Sequence, residues 1–290
     1  MTTRQSDRRN ILGLGAAGLA AAATLDVRKA AAASAPESLL RKVLNRGHLI
    51  VGTGSANAPW HFEDANNKLT GMDVAMGKIL AKALFGDEKK VKFVLESAAA
   101  RIPNITTGKV DIVIHFMTIS AQRAQLVAFS RPYYIEAVAL LTRADAKAKS
   151  FDQLAALGAK AKVSILQNVG ATQMVHEVLP KAEVMQIDTQ ANVIQALESH
   201  RADAAAVDLS NVRWLVKQAP NRYADAGKAW VKQLYGAAVR QGDPDWLLFV
   251  NTVFDVAMFS SLDGHHIYDS AFLEFFGEKT PPLKAGFPSI

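Results

Sequence analysis

Val91 to Ile114 reads VKFVLESAAARIPNITTGKVDIVI. Val91 to Leu95 is a short apolar, strand-like run; Arg101 to Thr107 reads as a helix stopped by Gly108; Val110 to Ile114 is a second strand-like run. Strand, helix, strand is the unit from which parallel sheets are built, because parallel neighbours need a crossover long enough to hold a helix.

Towards the N-terminus the same alternation continues. Glu37 to Arg46 reads as an amphipathic helix closed by Gly47, and His48 to Thr53 as a buried strand. After a loop at Pro59 and a turn at Asn66-Asn67, the spacing of Met72, Met76, Ile79, Leu80 and Ala83 predicts a helix ended by Gly86. Towards the C-terminus, Val138 to Thr142 is another extended run, and the polar, lysine-containing stretch Ala144 to Ser150 precedes a second alternation. In it, Val163 to Leu166, Val184 to Ile187 and Ala204 to Val207 read as strands. Ala171 to Leu179 and Ala191 to Ser199 read as helices, and another helix begins at Asp208. Tyr235 to Arg240 returns as a strand, and two helices, Pro244 to Leu262 and Ile267 to Gly277, finish the chain. We therefore expect two α/β lobes, 34–141 plus 238–290 and 142–237, joined by a two-strand hinge.

Composition narrows the function. The 290 residues are 50% hydrophobic, enough for two cores. Net charge is +6, but residues 1–33 hold five basic residues against two acidic ones, so the remainder carries only +3. No clustered basic face points to nucleic acid. With no cysteine there is no disulfide, no thiolate nucleophile and no lipid-modified cysteine. Beyond residue 33 charged or polar residues interrupt every apolar run well short of the ~20 needed to span a bilayer, so a soluble mature protein is expected.

Residues 1–33 read as an address. Arg8-Arg9 precede a weakly apolar, Gly- and Ala-rich stretch, Ile11 to Leu25, and Lys29 is followed by Ala30-Ala31-Ala32-Ala33. This resembles a bacterial twin-arginine signal peptide cleaved near Ala33. Asp7 stands where Ser or Thr is usual, which leaves the general secretory route open.

Several short motifs follow one another in the remaining chain. They are Leu49-Ile50-Val51-Gly52-Thr53, Ala58-Pro59-Trp60, Lys68-Leu69-Thr70-Gly71-Met72-Asp73-Val74, Ile102-Pro103 and Gly108-Lys109-Val110-Asp111-Ile112. Met117-Thr118-Ile119-Ser120, Arg123 and Phe129-Ser130-Arg131-Pro132-Tyr133-Tyr134 complete the series. In order and spacing they resemble the polar amino-acid family of bacterial solute-binding proteins, the family 3 type, over essentially the whole mature chain. The resemblance implies a periplasmic-binding-protein-like fold of type II, whose two lobes close over a small ligand. It also implies a periplasmic protein that delivers an amino acid or related zwitterion to the permease of an ABC importer in the inner membrane, without a cofactor. A monomer is expected.

The resemblance also implies site residues. Arg123 matches the arginine that forks onto the ligand carboxylate, a role suited to planar paired donors, and Ser120 is placed to cap the helix that carries it. Thr118 follows the strand Val110 to Ile114, where open α/β sheets place their sites, and matches a ligand contact; it could equally close a turn. Asp208 matches the acid that receives the α-ammonium. It could also be the N-cap of the following helix, and the two roles are compatible. Thr172, at the start of a helix whose free N–H groups suit a carboxylate, matches a further contact. The side-chain pocket departs from the family: Asn57 and Ala98 stand where many members sandwich the ligand between aromatics, and His115 and Phe116 replace small residues. Trp60 matches a packed aromatic beside the pocket.

Two other functions share this scaffold. One is a cyclohexadienyl-dehydratase-like enzyme, in which an acid beside the ligand eliminates water; the other is a sensory protein that presents its ligand to a receptor. The sequence holds no recognisable nucleophile and base pair, and His265-His266 point apart on a helix, so neither catalysis nor a metal site is expected.

Overall fold

The computed structural model describes residues 37–262 and 264–280. The signal-peptide expectation for 1–33 lies outside them. The chain runs α1 (Leu39–Arg46), β1 (Leu49–Thr53), β2 (Ala56–Asn57), β3 (His61–Glu63), β4 (Leu69–Thr70), α2 (Met72–Phe85), β5 (Val91–Leu95), α3 (Arg101–Thr106) and β6 (Ile112–Val113). It continues through α4 (Ala121–Ala124), β7 (Ala128–Phe129), β8 (Tyr134–Arg143), α5 (Phe151–Ala156), β9 (Lys162–Leu166), α6 (Ala171–His176) and β10 (Glu183–Ile187). The last elements are α7 (Gln190–Glu198), β11 (Ala204–Asp208), α8 (Leu209–Gln218), β12 (Tyr223–Tyr235), β13 (Ala238–Val239), α9 (Pro244–Phe259) and α10 (His265–Phe276).

Two five-stranded sheets organise the chain, in the orders β5-β1-β6-β13-β7 and β10-β9-β11-β8-β12. They share one plan. In the first, β1 runs parallel to β5 and β6 while β13 runs antiparallel to β6 and β7; in the second, β9 runs parallel to β10 and β11 while β8 runs antiparallel to β11 and β12. Each sheet is thus a three-strand parallel core with an antiparallel flank, which is the α/β lobe expected from the alternation. A small sheet, β2-β3-β4, sits beside the first.

Local signals explain the boundaries. Gly47 and Gly86 close α1 and α2 in the left-handed conformation, where a side chain would be strained. Asp243 ties the chain's distant parts: it caps α9 by accepting from Trp246 N at 3.0 Å, and it also accepts from Leu39 N at 2.6 Å and Ser38 Oγ at 2.7 Å at the start of α1. The first core packs Val51, Met76, Leu80, Trp246 and Phe254 against the first sheet, and the second sheet is covered by Val163, Val175 and Leu154 on one face and Val193, Leu197 and Val212 on the other.

The first crossing between the sheets differs from the sequence expectation. The sequence places the end of the first lobe at 141, inside the run Val138 to Thr142; β8 instead pairs along its whole length in the second sheet, from Tyr134 opposite Tyr235 to Arg143 opposite Tyr223. A continuous apolar run states that a strand is central, not which sheet it joins. The chain therefore crosses at Arg131–Tyr133 and returns at Gly236-Ala237. Hydrogen bonds lace the crossings together: Ser130 N to Ala237 O (2.8 Å), Tyr133 N to Tyr235 O (2.9 Å) and Ala237 N to Ser130 Oγ (2.9 Å).

Candidate ligand-binding site

A cavity of about 690 Å³ opens between the two sheets, at the C-terminal ends of their parallel strands. Four expected residues line it: Phe116, Thr118, Arg123 and Asp208.

Arg123 stands on the one-turn helix α4, whose Ser120 Oγ accepts from Arg123 N at 3.3 Å. Its Nη1 donates to Thr118 O at 2.8 Å, which aims the guanidinium and leaves its other donors without an acceptor among the described residues. Thr118 Oγ1 donates to Gln233 Oε1 at 2.6 Å, and Thr118 forms a bridge with Tyr235, so this residue ties α4 to the returning hinge strand.

Asp208 ends β11 and precedes α8 but makes no capping bond with its side chain. It accepts from the Tyr235 hydroxyl instead. The cap reading is thereby set aside, and a carboxylate oxygen remains for the cavity. Burial pushes Asp208 up to about 6, against the opposing hydrogen bond from Tyr235. Behind it lies Glu136, 2% exposed, which burial and the charge of Asp208 push up to about 8. Glu136 accepts from Ala137 N at 2.8 Å and from Ser210 Oγ at 2.5 Å, and Ser210 Oγ accepts in turn from Trp60 Nε1 at 2.9 Å.

Phe116 takes a positive φ of 36°, uncommon for an aromatic residue and held by Asp73. The buried Asp73 carboxylate accepts from Phe116 N (2.8 Å) and the Tyr133 hydroxyl (2.9 Å), and His61 Nδ1 lies 2.8 Å away.

The other five expected residues do not line the cavity. Trp60 is fully buried among Tyr133, Tyr134, Tyr235 and Phe276, as a packed aromatic. Asn57 is buried and accepts from Asn211 Nδ2 at 2.8 Å across the two halves. Thr172 accepts from Gln186 Nε2 at 3.0 Å; the turn before α6, with Gly170 at φ 83°, presents Asn168 and Val169 to the cavity in its place. Ala98 and His115 take part through their carbonyls: they accept from Arg101 Nε at 2.8 Å and Arg101 Nη1 at 3.1 Å. The His115 ring is buried; desolvation first, then the neighbouring His61, holds it well below the ordinary histidine range, so it is neutral near pH 7.

Arg101 itself is the residue that sequence reasoning missed. It is 7% exposed, lines the cavity and lies 5.2 Å over the Phe116 ring. Burial, then the nearby Arg123, lowers it to about 10. A signal was available: an arginine opening a helix just after the end of a strand sits where α/β sheets gather ligands. Gln190, at the start of α7, also lines the cavity, and its Nε2 is buried without a partner among the described residues.

With this geometry in place, comparison with known proteins is decisive. The model of the bacterial extracellular solute-binding proteins, family 3, matches residues 49–264. The chain belongs to this family. Among curated relatives, the glutamine-binding protein of Geobacillus stearothermophilus is 31% identical over 73% of this chain and 79% of its own length. The L-cystine-binding protein TcyJ of Escherichia coli is 32% identical over 75% and 80%. Among solved structures, the ancestral amino acid-binding protein AncCDT-1, described as a precursor of cyclohexadienyl dehydratase, superposes with a TM-score of 0.71 at 33% identity. That match covers 82% of this chain and all of the other. A solute receptor for L-cysteine of Neisseria gonorrhoeae gives a TM-score of 0.73 at 27% identity, covering 85% and 98%. The matched residues 49–264 of this family 3 protein span the strands of both five-stranded sheets and the cavity between them, with α1 and α10 outside.

Proposed function

We propose that this chain is the periplasmic binding component of an ABC importer and holds an α-amino acid between its lobes, with Arg123 on the α-carboxylate and Asp208 on the α-ammonium. The observation that carries the reading is the placement of these two opposite charges on opposite halves of one cavity. A zwitterion satisfies both only when the halves come together, which gives the differential contact that closure requires. Relatives named for glutamine and cystine binding support the amino-acid class. The permease of the importer is the partner, and the binding protein acts as a monomer without catalysis.

The test is a thermal-shift and calorimetric screen against amino acids, because a ligand that binds only the folded state raises its apparent stability. Wild type shifts with an α-amino acid; Arg123→Ala loses that shift while its unliganded melting temperature stays close to wild type. An Arg123→Ala protein that binds as well as wild type would refute the assignment. The dehydratase reading has one observation in its favour, a cavity acid, Asp208, raised to about 6. Turnover of a cyclohexadienyl acid in the same screen would select it over simple binding.

A further inference from the structure

Apolar side chains form a stripe along the outer face of α9. Leu248, Val256 and Phe259 fall within one ~100° arc of the helix, and Leu262 follows just past its end. Leu248 is 65% exposed, Phe259 50% and Leu262 69%. Where α9 gives way to α10 the stripe borders a depression of about 590 Å³, lined by Val256, Ser261, Leu262 and His266. None of these residues lines the ligand cavity. Contiguous exposed apolar side chains mark a surface that something covers.

The chain itself is carried to the edge of this depression. Gly277 closes α10 in the left-handed conformation, with a φ of 73°, and Thr280 Oγ1 then donates to Asp269 Oδ1 at 2.6 Å, so the backbone has turned back along the helix. The other Asp269 oxygen lies 3.0 Å from His265 Nε2, at the start of α10 and next to His266. The sequence continues Pro281-Pro282-Leu283-Lys284-Ala285-Gly286-Phe287-Pro288-Ser289-Ile290. Two prolines after Thr280 favour an extended path away from it. At ~3.1 Å per residue Leu283 reaches ~9 Å beyond Thr280, while only ~4.5 Å of helix separates Asp269 from His266. Phe287 comes ~12 Å after Leu283, and ~12 Å of helix separates Val256 from Leu248.

We infer that the segment 281–290 docks on the α9 stripe as an intramolecular strap, with Leu283 in the depression and Phe287 over the turn that carries Leu248. The occupant is this segment because the chain arrives at the depression and bears two large apolar side chains at the spacing of the stripe. The strap lies outside the ligand cavity and is independent of the amino-acid reading.

The chain has no cysteine, so pairs of introduced thiols report the contact directly. Four double variants of the full mature chain leave Leu283 and Phe287 in place. Ser261→Cys with Ala285→Cys and Thr252→Cys with Ser289→Cys are the matched pairs; Ser261→Cys with Ser289→Cys and Thr252→Cys with Ala285→Cys are the crossed pairs. Rates of intramolecular disulfide formation are measured at low protein concentration under a mild oxidant. The product of the matched rates over the product of the crossed rates largely cancels tether length and thiol reactivity, and docking should raise it to ~100 or more. Leu283→Asp with Phe287→Asp, added to all four, should return it to about 1, since a charge cannot enter an apolar depression unpaired. A ratio near or below 1 in the starting variants overturns the inference, as does a high ratio that survives both aspartates. Disulfides formed between chains in preference to within them also overturn it and assign the stripe to a second copy.

Discussion

Asp208 and Glu136 make the cleft sensitive to pH in two opposed ways. Both acids are raised by burial above their ordinary values of 3.8 and 4.5, so between about pH 4 and pH 8 the folded chain holds more protons than the unfolded one. Their contribution to stability is complete at the acid end of that window and is lost as pH rises through the two folded values. Denaturant titration of the unliganded protein should therefore give lower stability at pH 8 than at pH 5 once other groups are accounted for by an Asp208→Asn, Glu136→Gln control. Ligand affinity runs the other way under the proposed function: the ammonium would need the ionised Asp208, so calorimetry should show binding weakening as pH falls below 6. Ser210 links these acids to Trp60, and Ser210→Ala strands the buried indole N–H; a loss of ~1–3 kcal/mol is expected in the same denaturant assay. That Phe116, Thr118, Arg123 and Asp208 line the cavity was legible in the sequence, because motif order placed them in the segments that follow the parallel strands. Arg101 was missed although its place after a strand was a signal; what the sequence does not record is how the Ala98 and His115 carbonyls hold its guanidinium at the cavity.

The elements were legible where one local rule governs. Helices closed by Gly47 and Gly86 end where expected, and Val91 to Leu95 is a strand end to end. The longest strand, β12, was not foreseen beyond its last residue. Its register shifts between Asp225 and Ala229 and again between Trp230 and Lys232, and Val231 has a φ of 49°, so bulges erase the alternation that marks a strand. The start of α2 shows how strictly a single position can be specified. Gly71 has a φ of 120°, and a Cβ there would lie 2.3 Å from the Trp60 carbonyl oxygen. Gly71→Ala is expected to cost at least ~2–3 kcal/mol, from backbone strain together with a clash that no flexible side chain can relieve, and a fall in melting temperature would register it.

In the whole molecule, the halves meet through Trp60 and Ser210, Asn57 and Asn211, and Phe62 and Trp214, whose ring centroids are 5.5 Å apart. The chain has no cysteine, so Asn57→Cys and Asn211→Cys would supply its sole two thiols, at side chains that already meet across the halves, for a reducible disulfide. With the halves bridged in this way, stopped-flow release of bound ligand should slow by ~10-fold or more and recover on cleavage, since exit requires the halves to part. The division into two halves was foreseen from the repeated alternation, but the point of first crossing was not, because partner choice by β8 is set by β11 and β12, far along the chain. The second sheet is built from one uninterrupted segment, 134–235, whereas the first needs strands from both sides of it. A pull applied to the two chain ends would therefore load the first half alone, with the second outside the tensioned path until the first gives way.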